Sequence, residues 1–495
     1  MQEQYLHLND KEVFNGEFML AVFKMVPYGD IEIEDVATEV AAESSTGSNL
    51  KVGTMTGYSQ SVDARVYKID KEKNLVYIAY PWVMFDRGGN VQNIMTFIAG
   101  NIFGMAELRE CKLLDVWFPS QMLDQYDGPS VTLDDMRGYL QNFDRPVLGS
   151  IIKPKIGLTS TEYAEVCYDF WVGGGDFVKN DEPQADQNFS PFQKMVVSVR
   201  EAMDRAEEAT GHTKVHSFNV SASDFDTMIK RADYISSIMK PGSYAFLVDG
   251  ITSGWTAVQT IRRHYPNVFL HFHRAGHGAF TRAENPIGYS VLVLSKFARL
   301  AGASGIHTGT AGVGKMAGDV KDDITAAQGI LRLRAKGHYF DQCWSEIPES
   351  DMDMIAEVKK EEELWASGAR GIAQSRARGL DTFLERKMSW RVISKTAPII
   401  SGGLNPVLLP QFLDVIGTMD FITTMGGGVH SHPSGTKAGA TAVVQSYEAW
   451  KAEVSLEEYA KEHKELDEAI KFFNKHGTQA HRIDNSAVYH NEAAV

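Results

Sequence analysis

Residues 174–184 read GGDFVKNDEPQ, which sets one lysine, Lys179, among apolar neighbours just before Asp181 and Glu182. Side chains at i and i+2 of a strand share a face, so Lys179 and Asp181 point the same way. Glu182 follows where the strand gives way to a loop and can fold back to the same point. The ordinary reading of such a trio is an ion pair. A metal-centred reading stands beside it. Two carboxylates alone are a poor home for Mg²⁺, which wants several hard oxygen donors. A neutral lysine amine that takes up carbon dioxide becomes a carbamate. The cation is then an anionic oxygen donor, and Mg²⁺ could be held by Lys179, Asp181 and Glu182 with positions left for a substrate.

Other chemically capable residues recur along the chain. Lys153 and Lys155 lie in SIIKPKIGL, His273, Arg274 and His277 in HFHRAGHG, and His307 in GIHTGT. SGG at 401–403 and GGG at 426–428 let backbone N–H groups approach an anion closely. Two glycine clusters opposite Arg274 and His307 suggest a substrate with a phosphate at each end. TAGVGKMAG at 310–318 carries Lys315 between glycines, as suits a lid that closes and brings in a cation.

These groups need a common scaffold. From about residue 145, short apolar runs alternate with amphipathic segments: PVLGSII, GDFVKN, KVHSFNVS, YAFLVDG, VFLHFHRAG, SGIHTGT, APIISGG and DFITTMGGG. Eight strand-then-helix units predict a (β/α)₈ TIM barrel, whose continuous apolar strands fit a parallel sheet buried on both faces. The capable residues fall at the strands' C-terminal ends, where barrel sites lie. The helical patterns include TEYAEVCYDFWV, FDTMIKRADYISSIM and IGYSVLVLSKFARLAG. Residues 1–135 read as an N-terminal α+β domain, 136–474 as the barrel and 475–495 as a tail. A charged stretch at about 348–395 is too long for a barrel connection and reads as a helical insertion.

Composition narrows the class. The 495 residues are 43% hydrophobic and 23% charged, as in a soluble globular protein, and the net charge of −15 argues against a nucleic-acid binder. Three cysteines, Cys111, Cys167 and Cys343, form no CxxC pair and point to a reducing, cytoplasmic setting. The N-terminus shows no secretory signal, and no apolar run is long enough for a membrane span.

In this order, SIIKPKIGL, GGDFVKNDEP, HFHRAGHG, GIHTGTAGVGKMAG, PIISGG and MGGG resemble the large subunit of ribulose-1,5-bisphosphate carboxylase/oxygenase (RuBisCO), as do AAESSTGSN at 41–49 and AGNIFGMAELR at 99–109. The resemblance covers nearly the whole chain except the insertion and the tail after about Asn474. KNDEPQ and EEYAKEHKEL are similar to form II enzymes, and the remainder suggests an intermediate form II/III of archaeal type.

The resemblance implies carboxylation of ribulose 1,5-bisphosphate by CO2 to two 3-phosphoglycerate, with competing oxygenation by O2. It implies one Mg²⁺ per site on a carbamylated Lys179 with Asp181 and Glu182, and proton removal at carbon 3 by Lys179. Lys153 would handle protons on the enediolate and final carbanion, with Lys155 supporting it and His273 assisting. Lys315 would stabilise the new carboxylate. Arg274 and His307 would hold one phosphate; Ser48, Gly403, Gly426 and Gly427 the other; Ser401 and His277 the sugar. Glu43 and Asn101 would reach the site from a partner subunit, which makes a homodimer with shared sites the minimal unit, with no small subunit. On the insertion the resemblance is silent; its acidic run EVKKEEELW, the basic stretch after it and the anchors Trp365, Leu380 and Phe383 predict that it joins dimers into a larger ring, a pentamer of dimers. Two departures stand out: Ser48 where many relatives have threonine, and Ala317 where many have glutamate. A RuBisCO-like protein that enolises or isomerises a phosphorylated sugar or thiosugar without carboxylation is the alternative. A non-enzymatic scaffold is a third reading, which the complete set of rim residues disfavours.

Overall fold

The computed structural model describes residues 2–47, 53–314, 320–331, 339–340 and 393–476. Ser48, Lys315, Ala317, Cys343 and nearly all of the 348–395 stretch lie outside the described residues.

The N-terminal part forms a five-stranded sheet from β1 (Phe18–Pro27), β2 (Arg65–Asp70), β3 (Leu75–Pro81) and β4 (Leu108–Trp117), with a fifth strand that arrives much later in the chain. Period-2 alternation divides β1 between two cores. Met19, Ala21 and Phe23 pack with the helix Ile33–Glu43, while Phe18, Leu20 and Val22 pack with Tyr67, Tyr77 and Phe340.

Eight parallel strands follow in order round a second sheet. They are β5 (Gly149–Ile151), β6 (Phe177–Lys179), β7 (Val215–Asn219), β8 (Tyr244–Asp249), β9 (Phe269–His273), β11 (Gly305–His307), β12 (Ala397–Ile400) and β13 (Ile422–Thr423). Parallel bridges Val147–Ile422 and Ser150–Met425 bring the last strand back to the first, so the sheet closes. All eight apolar runs are strands of this barrel.

One end of the barrel is plugged. Leu133, Met136 and Leu140 of the helix Leu133–Leu140 pack on Val147, Phe177, Val215, Phe269 and Ala397 from the strands' starts. A capping box between Thr132 and Asp135 fixes where that helix begins. With the N-terminal mouth filled by apolar side chains, the open end is the one where the strands finish.

IGYSVLVLSKFARLAG is two elements where its pattern predicts one helix. Ile287–Tyr289 is β10, paired in parallel with Cys111–Leu113 of β4, and the helix starts at Val291. Ser290 caps the helix by accepting from Val293 N–H. Gly288 has φ +147°, and a Cβ there would sit 2.1 Å from the Phe280 carbonyl oxygen. The partner strand lies some 175 residues upstream, so no local pattern marks β10. The same helix is tied to β4 by a buried ion pair, Lys296 Nζ to Asp115 Oδ1 at 2.5 Å.

Candidate active site

A cavity of about 1050 Å³ opens at the C-terminal ends of the barrel strands. Its lining includes Lys153, Lys155, Asp181, Glu182, His273, Arg274, His277, His307, Ser401, Gly403, Gly426 and Gly427, a set drawn from six strand ends. The structure thus brings together twelve of the residues singled out from sequence.

The lysine that opened the question lies deeper. Lys179 is fully buried beneath this floor, and its Nζ donates to the carbonyl oxygen of Asn180 at 2.9 Å. The carboxylates pair instead with the two other lysines. Lys153 Nζ bonds Asp181 Oδ2, and Lys155 Nζ lies 2.6 Å from Glu182 Oε1 and 3.7 Å from Asp181 Oδ1. Burial removes water from the Lys179 ammonium and lowers its pKa to about 8, against the pull of Asp181 and Glu182. Burial alone would raise Glu182, but its neighbour Asp181 and the hydrogen bond from Lys155 outweigh it and hold its carboxyl below the usual carboxylate range.

His273 lies between carboxylates, with Nδ1 3.2 Å from Asp249 Oδ1 and Nε2 3.6 Å from Glu182 Oε2. Its Nδ1 accepts the Ala275 N–H, so the neutral ring carries its proton on Nε2, toward Glu182. Burial pushes Asp249 up to about 6. Arg274 is half-buried, with its Nη1 out of solvent, and among the described residues that nitrogen has no hydrogen-bond partner. A buried guanidinium N–H without an acceptor is costly, and an anion in the cavity would satisfy it. His277 Nδ1 is 2.6 Å from Thr281 Oγ1.

Opposite, Gly402 and Gly403 adopt φ of +112° and +106°, the left-handed region that turns successive backbone N–H groups into a concave donor surface. A Cβ on Gly428 would lie 2.0 Å from the Leu404 carbonyl oxygen, which locks the two glycine loops together.

Glu43 and Asn101 are apart from this cavity. Asn101 Nδ2 donates to Glu43 Oε1 at 3.0 Å, and neither lines the barrel mouth. Sequence reasoning missed Asp249, although it ends the run YAFLVDG and the strand-end rule would have found it. It also missed Phe472 and Phe473, which reach the cavity from the helix Lys464–His476 and carry no local signal.

The residues fit a divalent cation in one specific way. Among the described residues, no three His, Cys, Asp or Glu side chains cluster as a metal site. Asp181 and Glu182 supply two oxygen donors, and Lys179 is the lysine at this floor whose amine bonds a backbone carbonyl and neither carboxylate.

A closed eight-stranded barrel with a buried lysine, a carboxylate pair and glycine loops at one mouth is the framework of a barrel enzyme acting on an anionic substrate. The chain belongs to the ribulose bisphosphate carboxylase large chain family. The family's catalytic domain matches residues 132–356 and 368–473, and its N-terminal domain matches 8–122. The break at 357–367 falls inside the 348–395 stretch. A ribulose bisphosphate carboxylase of Rhodobacter capsulatus is 39% identical over 486 residues, covering 95% of each chain. One from Rhodopseudomonas palustris strain HaA2 is also 39% identical, over 487 residues and 95% of each chain. Among solved structures, the dimeric archaeal enzyme of Hyperthermus butylicus superposes with a TM-score of 0.78 at 32% identity, over 95% of this chain and 98% of that one. The octameric enzyme of Pyrococcus horikoshii OT3, in complex with sulfate, gives 0.78 at 28% identity over 96% and 97%.

Proposed function

We propose that the chain carboxylates ribulose 1,5-bisphosphate with CO2 and cleaves the product to two 3-phosphoglycerate, with O2 as a competing substrate. Family membership supports the reaction. The single observation that carries the site assignment is Lys179, sealed under Asp181 and Glu182 with its amine brought to about 8.

At pH 8 such an amine is deprotonated in about half of the molecules, against about one in 300 for an ordinary lysine of pKa 10.5. Its lone pair forms the N–C bond to CO2 and the nitrogen loses a proton, leaving a carbamate beside the two carboxylates. Mg²⁺ bound to these three groups would polarise the sugar's carbonyl and hydroxyl oxygens. Lys179 then removes the proton at carbon 3. Lys153, against Asp181, holds the proton that returns to the carbanion carbon before product leaves, and Lys155 keeps the carboxylates charged around it. His273 presents its Nε2 proton on the same side. Arg274 takes one phosphate, bordered by His307, whose two ring nitrogens are held by His271 and Ser401, and the backbone at Gly403, Gly426 and Gly427, with Ser48, takes the other. Ser401 and His277 contact the sugar, and Lys315 reaches the nascent carboxylate from 310–318.

We assign the chain to a homodimer in which Glu43 and Asn101 complete the partner's site, in the cytoplasm and without a small subunit. Their distance from the barrel mouth of their own chain supports this. The Hyperthermus enzyme is described as dimeric and the Pyrococcus enzyme as octameric, neither of which is a ring of five dimers. No described helix is long and apolar enough to cross a membrane. Within the family we favour a form between II and III, since the closely matching bacterial sequences and the archaeal structures pull in different directions.

The test is incubation with labelled bicarbonate, Mg²⁺ and ribulose bisphosphate. Labelled 3-phosphoglycerate is expected from the wild type and none from Lys179→Ala. With oxygen excluded, consumption of the sugar without label in product would establish the non-carboxylating alternative.

A further inference from the structure

Four polar side chains form a continuous file inside the barrel. Ser217 Oγ lies 3.2 Å from His271 Nδ1, His271 Nε2 lies 2.9 Å from His307 Nε2, and His307 Nδ1 lies 2.9 Å from Ser401 Oγ. Ser217 and His271 are fully buried and do not reach the cavity; His307 and Ser401 do. The reaction as described uses neither Ser217 nor His271.

The direction of the file can be deduced. Burial keeps both imidazoles neutral, so each has one N–H and one bare nitrogen. Two facing Nε2 atoms bond only if one of them carries the proton. Ser217 decides which. Among the described residues its hydroxyl has a single hydrogen-bond partner, His271 Nδ1. A buried O–H without an acceptor costs more than an oxygen with a spare lone pair, so Ser217 donates. His271 Nδ1 is therefore bare and its proton sits on Nε2, donated to His307 Nε2. His307 is then protonated on Nδ1 and donates to Ser401 Oγ. Ser401 accepts from the protein, and its own O–H is left for the cavity.

We propose that Ser217 and His271 are positioning residues that fix Ser401 as a hydrogen-bond donor toward the substrate. Ser401 thereby recognises an acceptor oxygen of the sugar bisphosphate, a carbonyl or an oxygen carrying negative charge, and disfavours a hydroxyl that must itself donate. This rests on the cavity being the bisphosphate site. The opposite polarity would make Ser401 an acceptor with the same heavy-atom positions, so the choice of substrate oxygen is written into a serine in the barrel interior.

Neutron diffraction on the full-length protein without substrate reads the file directly. Deuterons are expected on His271 Nε2 and His307 Nδ1, and a deuteron on His307 Nε2 would overturn the proposal. A double-mutant cycle supplies the functional arm. Ser217→Ala and Ser401→Ala should each raise KM for ribulose bisphosphate about fivefold, the scale of one neutral hydrogen bond. The double variant should be no worse than Ser401→Ala alone, because Ser217 acts only through Ser401. Multiplying effects, or a KM for Ser217→Ala within about twofold of wild type, would refute it. If Ser217→Ala fails to fold, the neutron arm still decides. If the wild type makes no labelled 3-phosphoglycerate, the proposed function fails while the deuteron positions keep their meaning.

Discussion

Lys179 is where residue-scale physics and activity meet. Its pKa is lowered to about 8 by burial, so the reactive neutral amine grows as pH rises through that value. Activation by CO2 and Mg²⁺ should follow a midpoint near pH 8, measured as the rate at which activity appears after both are added. A midpoint above pH 10 would contradict a buried amine. Lys179→Arg should be inactive at every pH, since a guanidinium stays charged and forms no carbamate. Asp249 behaves in the opposite sense. Burial raises its folded pKa from 3.8 to about 6, so the fold binds a proton more tightly than the unfolded chain does. The resulting stabilisation is complete below pH 3.8 and lost as pH rises through about 6, a swing of roughly 3 kcal/mol. Asp249→Asn should flatten that part of the metal-free protein's stability–pH curve in denaturant titrations between pH 4 and 7; an unchanged slope would remove Asp249 as its source.

Among elements, the loops after β12 and β13 carry a sharp expectation. Gly428 admits no Cβ without displacing the Leu404 backbone. Gly428→Ala should therefore separate the glycine loops and raise KM for the bisphosphate by about tenfold or more, the loss of one or two charge-assisted hydrogen bonds. Activation at Lys179 should persist, because β6 is untouched. Equal damage to activation and KM would mean that the barrel itself had shifted. At the far mouth, Leu140 lies in the apolar plug, 4% exposed. Leu140→Ala should cost about 2–5 kcal/mol in unfolding free energy with little change in kcat, since the plug lies at the end opposite the cavity.

For the molecule as a whole, the joint between sheet and barrel matters. Lys296 and Asp115 are both buried, and they join the helix after β10 to β4. Removing one member strands a charge in low dielectric. Lys296→Met is expected to lower stability by about 3–5 kcal/mol, whereas the double change Lys296→Met with Asp115→Leu should recover most of it. Denaturant midpoints of the two variants and the wild type check this, and a wild-type midpoint for Lys296→Met would show the pair to be dispensable.

Much of the site was legible in the chain because barrel strands are local objects. Each apolar run ends in a turn, and the residue just past it must lie at the mouth. That rule alone placed Lys153, Asp181, His273, His307, Ser401 and Gly426 around one cavity. The eight-unit rhythm likewise determined the fold, since a parallel strand needs a crossover of characteristic length. Tertiary structure decided what spacing cannot encode. Lys179 pairs with neither carboxylate, because Lys153 and Lys155 arrive from the neighbouring strand end and occupy them. β10 leaves the barrel to extend a sheet begun some 175 residues earlier, a pairing that rests on long-range register and not on periodicity. The file from Ser217 to Ser401 runs across four strands, β7, β9, β11 and the end of β12. Hydrogen bonds across a closed sheet join residues that are neighbours only once the ring has formed, so their polarity belongs to the fold and not to any stretch of the chain.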